Sequence, residues 1–315
     1  MKKIIFDTDI GGDCDDVVAL DLLLSAERTG DCELLGVTYS SDNEYAPAMI
    51  YAILKQHGRH KLPIGKAYFP TGTKKHADNY SKPVADAFPD ENAPTYENTP
   101  SAVSVLRRLI VENGHVTLVV TGFLTNIAAL IKSEPDDISP LSGAELMREY
   151  VDEIALMACN FSHMNGINPM PQALVGDNLN PVPEYNIVCD LEAAKYTFEN
   201  CPSTIVCSPF ELGFKMISGK PLCEYGAGKL PDSLALKAFG AVDGRDSWDP
   251  ATALYGVYGT QSNFYRSAAG KITIDDGGIS HFDTLHGGKH YILECRAPQN
   301  EIGAQIDKIV MQLFD

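Results

Sequence analysis

Short apolar runs alternate with longer amphipathic stretches along most of the chain, and that alternation predicts the fold. Residues 3–6 form an apolar run suited to a strand buried on both faces. An acidic, glycine-containing loop ends it, and residues 17–25 follow as a nearly continuous apolar helix. Residues 33–39 (ELLGVTY) read as a second strand, 45–56 as a helix and 62–67 as a short strand. The β-branched run 116–120 predicts another strand, with a helix over 125–131; residues 153–157 and 204–207 read as strands around a helix over 191–198. Towards the C-terminus the pattern predicts a helix from residue 249, strands over 271–274 and 290–295, and a final helix over 301–313. Alternating strands and helices predict an α/β fold with a doubly wound, mainly parallel sheet. Two stretches break the rhythm: 68–100, rich in Pro, Asn, Asp and Tyr, and 160–183, rich in Asn, Gly and Pro. Loops this long inside a compact domain are usually lids or binding loops. No repeat or linker-like run appears, and one domain over residues 1–315 is the simplest reading.

Composition narrows the partners more than the fold. Hydrophobic residues make up 44% and charged residues 21%, an ordinary globular balance. The formal net charge of -17 repels phosphate backbones and anionic membranes, so neither nucleic acid nor a membrane is an expected partner; an uncharged small molecule or a cation fits better. The 8 Cys residues are scattered, with no C-x-x-C pair, and read as reduced, mostly buried thiols of a cytoplasmic protein. The apolar run before Asp7 is too short for a signal peptide, and no stretch of about 18 apolar residues predicts a membrane span.

Chemistry concentrates in the loop after the first strand. Asp7, Asp9, Asp13, Asp15 and Asp16 stand within ten residues at the carboxyl end of that strand, the edge where open α/β sheets bind ligands. Five carboxylates so close together repel one another unless a cation or protons neutralise them, and hard oxygen donors recruit Ca²⁺ or Mg²⁺. A helix cap would use one or two of them, not five. Gly11 and Gly12 permit the sharp turn. The Asp-x-Asp start also resembles that of haloacid-dehalogenase-type phosphatases, in which Asp7 would be the nucleophile and Mg²⁺ the metal. That reading leaves Asp15 and Asp16 without a role.

Five motifs in order carry a more specific resemblance. Asp7, Asp9, Gly11, Asp15 and Asp16 resemble the N-terminal signature of the inosine-uridine nucleoside hydrolase family, with a spacer two residues longer than in its best-known members. That spacer makes Asp13 a competitor of Asp15; the adjacent pair Asp15–Asp16 is preferred because it directly precedes the apolar helix. Asn43, the segment Thr121-Gly122-Phe123-Leu124-Thr125-Asn126, the set Asn178, Glu184, Tyr185 and Asn186, and Trp248-Asp249 are similar to further family motifs. The resemblance implies a Rossmann-like core with long active-site loops and calcium-dependent hydrolysis of the N-glycosidic bond of ribonucleosides. It implies Ca²⁺ bound by Asp9, Asp16, Asp249 and the main-chain carbonyl of Thr121. Asp9 would be the general base, and Asn186 would favour the ribosyl cation. Asp15, Asn43, Met157, Asn178, Glu184 and Asn186 would hold the ribose. Trp248 stands where many members have His. An indole cannot donate a proton to the leaving base, but it can stack on a purine, as in the purine-specific branch; Phe69, Tyr80 or Phe88 would then cover the opposite face. Assembly as a homodimer or homotetramer is expected with the resemblance.

Plainer roles fit the same residues. Thr121 and Asn126 suit a helix-capping turn; Asn178, Glu184 and Asn186 suit loop polars; a lone Trp suits a core; Met157 suits strand packing. His76, His163, His281 and His286 read as solvated or structural. A silent calcium and ribose binder on the same fold would carry the same motifs.

Overall fold

The structure is a computed structural model and describes residues 1–68, 78–164 and 181–315. Six strands run parallel through its centre: β1 (Lys2–Thr8), β2 (Cys32–Tyr39), β3 (Ile64–Lys66), β4 (Val116–Val120), β5 (Val151–Met157) and β6 (Thr204–Ser208). Two two-residue strands, β7 (Ile217–Ser218) and β8 (Arg245–Asp246), pair apart from the sheet. Beyond them follow β9 (Phe264–Arg266), β10 (Lys271–Ile274), β11 (Ser280–Asp283) and β12 (His290–Cys295). The main sheet has eight strands in the order β3-β2-β1-β4-β5-β6-β12-β9; β12 continues the parallel run and β9 pairs with it antiparallel. The expected α/β fold with a mainly parallel sheet is therefore present. The expected strand over 271–274 forms, but in a separate antiparallel hairpin of β10 with β11.

Alternation along β1 shows why the sheet is covered on both sides. Ile4 and Phe6 pack into one apolar cluster, with α1 (Asp15–Arg28) and α2 (Ala46–Gln56). Ile5 points the other way, into a second cluster. There it meets α4 (Ala102–Asn113), α5 (Thr125–Lys132) and α6 (Gly143–Tyr150). Successive strand residues face opposite sides, so a strand apolar at nearly every position is buried on both.

The long stretch 68–100 holds one helix among its described residues, α3 (Ser81–Ala87). The chain continues through α7 (Tyr185–Cys189), α8 (Leu191–Asn200), α9 (Phe210–Gly213), α10 (Lys220–Gly226), α11 (Pro231–Phe239), α12 (Trp248–Tyr258) and α13 (Gln299–Met311). The strand order reverses between β1 and β4, which opens a crevice at their carboxyl ends. Asp9 follows the last residue of β1, Thr121 follows that of β4, and Met157 ends β5. No helix among the described residues is long and apolar enough to cross a membrane.

Candidate active site

Strand ends, one loop and two helix starts build the site. Thr121 N–H donates to the carbonyl of Asp7 at 2.7 Å, continuing the β1–β4 ladder one residue past β4. Gly11 has φ +122°, and a side chain there would collide with Asn43 Nδ2 at 2.1 Å, so the turn needs glycine. α1 then starts at Asp15 with no side-chain cap, and Asp15 and Asp16 lie buried in its first turn, where the helix dipole favours negative charge. α12 starts opposite, and the Asp249 N–H donates to Asp15 Oδ2 at 3.0 Å.

These elements bring Asp9, Asp16 and Asp249 together, with one carboxylate oxygen of each within 4.8 Å of the others. Thr8 Oγ1 also donates to Asp16, and Thr121 Oγ1 lies 3.3 Å from the same oxygen. Burial first, and then neighbouring carboxylates, hold Asp9, Asp15 and Asp249 far above the usual carboxylate range. Burial raises Asp16 to about 6 against its hydrogen bonds from Thr8 and Asp249. All donors here are oxygen, and like charges this close call for a hard cation, so the residues fit a metal ion.

A cavity of about 330 Å³ opens over this cluster, within the range of small-molecule sites. Asp9, Asp15, Asp16, Thr121, Met157, Glu184, Asn186, Trp248 and Asp249 all line it. Asn186 Nδ2 donates to the Thr121 carbonyl at 2.8 Å and also approaches the carbonyl and sulfur of Met157 at 3.2 and 3.3 Å. Glu184 is a helix cap as well as a wall residue: its carboxylate accepts from the N–H groups of Asn186 and Ile187 at the start of α7. Burial lifts it to about 7 against those bonds.

Other expectations land elsewhere. Asp13 does not join the cluster; Arg245 grips its carboxylate at 3.0 and 2.6 Å. Asn43 does not line the cavity, because its amide holds Ser81 Oγ at 2.9 Å and accepts the Tyr45 N–H at 2.9 Å. Asp7 is buried and outside the cavity, accepting from Thr38 Oγ1 at 2.5 Å and Asn126 Nδ2 at 2.6 Å, which removes it as a nucleophile. Asn126 thus clamps Asp7 rather than capping α5. Asn178, Phe69 and His76 lie outside the described residues.

The aromatic wall differs from expectation. Trp248 lines the cavity, but Phe210 is its stacking partner, with ring centroids 5.4 Å apart and planes 24° apart. Trp248 Nε1 also donates to the Phe210 carbonyl at 2.8 Å. Rings in direct contact leave no space for a base between them. Tyr80 cannot be the opposing aromatic: it is fully buried, bonding Gly11 N–H and the Asp13 carbonyl. Phe88 lines a different crevice. Tyr185, part of the Glu184–Asn186 motif, lines the cavity as well, and sequence reasoning missed Phe210, Phe239 and Arg245, which also line it. The Arg245 guanidinium carbon stands 5.1 Å from the Trp248 ring and 5.6 Å from that of Phe239. No His lines the cavity among the described residues; His281 and His286 pair at the surface with Asp275 and Asp283.

Comparisons agree with this geometry. The sequence profile described as inosine-uridine preferring nucleoside hydrolase matches residues 4–266. The chain is 26% identical over 215 residues to an Arabidopsis thaliana protein named "Probable uridine nucleosidase 2"; the match covers 65% of this chain and 58% of that protein's length. Among solved structures, it resembles an inosine-uridine preferring nucleoside hydrolase from Bacillus anthracis, with TM-score 0.68 and 18% identity over 99% of each chain. It also resembles a purine-preferring ribonucleoside hydrolase from Gardnerella vaginalis, with TM-score 0.68 and 19% identity over 98% of this chain and 99% of that one. A plant nucleoside hydrolase gives TM-score 0.69 and 18% identity over 98% of each. Likeness at such identities establishes the fold.

Proposed function

This chain belongs to the inosine-uridine preferring nucleoside hydrolase family, and we propose that it hydrolyses the N-glycosidic bond of ribonucleosides, with purines preferred and Ca²⁺ as the metal. One observation carries the reading. Three buried carboxylates, from the β1 loop, α1 and α12, converge in a nucleoside-sized cavity that Tyr185, Phe210, Phe239 and Trp248 also line.

Asp9, Asp16 and Asp249 would hold the ion, with the Thr121 carbonyl as a fourth oxygen. Oxygen-only donors suit calcium. When bound, the ion would orient a water and the ribose diol and make that water more acidic. Asp9 takes the water's proton as the water oxygen bonds to the ribose anomeric carbon and the carbon–nitrogen bond breaks. The transition state is an oxocarbenium-like cation, as in other glycoside hydrolyses. Asp15 and Glu184 suit the ribose hydroxyls. Asn186 spends its Nδ2 on Thr121 and Met157, so its amide oxygen is the atom it can offer to the developing cation. No imidazole is present in the described wall to protonate the leaving base. Arg245 also lines that wall, but Asp13 and Asp246 hold its guanidinium, so the base leaves with the bonding electron pair and takes its proton from solvent. Trp248 and Phe210 offer an already stacked aromatic face, which supports preference for the larger purine ring.

Equilibrium dialysis with calcium tests the metal assignment. Wild type should bind one Ca²⁺ per chain, and Asp16→Asn and Asp249→Asn should bind it far more weakly. Undiminished binding in both variants would remove the cluster as the calcium site.

A further inference from the structure

A second convergence of ligand-type side chains lies outside the cavity. Asp21 sits on α1, His57 directly follows α2, and Asp232 is in the first turn of α11. One donor atom of each lies within 4.8 Å of the others. His57 Nε2 stands 3.7 Å from Asp21 Oδ1 and 3.7 Å from Asp232 Oδ2. Both carboxylates are 0% exposed, and the imidazole is 8% exposed.

Asp21 is the poorly satisfied member of this cluster, whereas Asp232 Oδ1 accepts the Ser233 N–H at 2.5 Å. Neither oxygen of Asp21 has a hydrogen-bond partner, although Oδ1 faces the imidazole. Gln56 Nε2 donates to Asp232 Oδ2 at 2.7 Å and lies 3.1 Å from His57 Nε2, while its own Oε1 is buried without a partner. Among the described residues no lysine or arginine pairs with Asp21 or Asp232. Buried carboxylates are costly unless paired or bound to a metal.

The distances between the imidazole and the two carboxylates favour a metal over direct hydrogen bonds. A separation of 3.7 Å is too long for a hydrogen bond. Around tetrahedral zinc, with bonds of roughly 2.0–2.1 Å, ligand atoms stand about 3.4 Å apart. Each imidazole–carboxylate separation is a few tenths of an ångström longer than that, and the two carboxylates lie within 4.8 Å of each other. Imidazole with carboxylates suits zinc or a neighbouring transition ion better than calcium, which sets this cluster apart from the oxygen-only one in the cavity. His57 and Gln56 line two surface crevices, which give an ion a route in.

We infer that Asp21, His57 and Asp232 form a second metal site, for zinc or a similar divalent transition ion. Water fills the fourth position, or Gln56 Oε1 does after rotation of its amide. The ion would tie α1, which carries Asp15 and Asp16, to α11, which ends at Phe239 in the cavity wall. Its role is to staple the two elements beside the active site, independently of the reaction run there.

Cobalt serves as the test probe, because tetrahedral Co²⁺ absorbs visibly and zinc displaces it. The full chain is stripped with chelator, desalted and titrated with Co²⁺ and then Zn²⁺, with circular dichroism to check folding. Wild type and Asp249→Asn should each show one zinc-displaceable tetrahedral Co²⁺ and a rise in Tm with zinc. His57→Ala and Asp232→Asn should lose both signals. The proposal is overturned if wild type gives no such absorption, or if the two variants titrate like wild type. Should both variants fail to fold, the wild-type and Asp249→Asn titrations decide alone: a band kept in Asp249→Asn supports the site, and one lost there assigns the metal to the cavity.

Discussion

Adding one methyl group at Gly213 should disable the active site from behind. Gly213 ends α9 and lies against the start of α12; a Cβ there would stand 2.5 Å from Trp248 Cα, 2.7 Å from its N and 2.6 Å from its Cδ1. Two of those atoms are backbone, so no side-chain rotation relieves the clash. Moving from 2.5 Å to an ordinary 3.4 Å contact displaces the Trp248–Asp249 step by about 0.9 Å. Asp249 is the next residue, and its carboxylate completes the proposed metal cluster. A misplacement of about 1 Å can cost on the order of 10²-fold in rate. The overpacking itself should cost about 1–3 kcal/mol, seen as a Tm lower by a few degrees. The assay is kcat/KM for inosine in Gly213→Ala at saturating calcium, with a parallel calcium titration. Both rate and calcium affinity should fall while the circular dichroism spectrum is kept. A folded Gly213→Ala enzyme with wild-type rate and affinity would refute the claim that α9 sets the position of Asp249.

Other consequences can be checked separately. In Trp248→Ala the ratio of kcat/KM for inosine over uridine should fall roughly two- to twelve-fold, the value of about 0.5–1.5 kcal/mol for one aromatic face. A lower Tm with an unchanged ratio would confine Trp248 to its stack with Phe210. His290 is buried, and its Nδ1 accepts the Ile272 N–H at 2.9 Å. Burial, then the charge of Lys271, lowers its pKa to about 4, against roughly 6.5 in the unfolded chain. The folded value lies below the unfolded one, so stability from the neutral ring is complete above about pH 6.5 and is lost as pH falls towards 4. The full loss is about 3 kcal/mol. Urea unfolding of wild type and His290→Gln between pH 7 and 4 should show curves that converge at low pH; parallel curves would exclude His290 as the source.

The centre of the fold was legible because strands buried on both faces are written as continuous apolar runs. β1, β2, β4 and β5 follow from that pattern alone, and so does the acidic loop at the end of β1. α3 escaped notice because Pro83 and its polar neighbours resemble loop chemistry. The pairing of Asp13 with Arg245 joins residues 232 positions apart, and nothing local marks it. Asp15 and Asp16 could be preferred over Asp13 because they begin an apolar helix, and the structure buries both while Asp13 turns to Arg245. Phe210 and Phe239 carried no signal because an aromatic in an apolar segment reads as core. The ligand-type residues Asp21, His57 and Asp232 come from three helical elements whose packing only the tertiary structure reveals.

The central claim is that the carboxylate cluster and its cavity split nucleosides with water. It is tested most directly by incubating purified protein with inosine and uridine and measuring free base and reducing sugar together. The account predicts base and ribose in equal amounts, with loss of both on chelation and restoration by Ca²⁺. Asp9→Asn should run about 10²-fold slower or worse, the usual cost of removing a general base. Release of neither product from calcium-loaded wild type across a panel of ribonucleosides, or an Asp9→Asn enzyme near the wild-type rate, would contradict it.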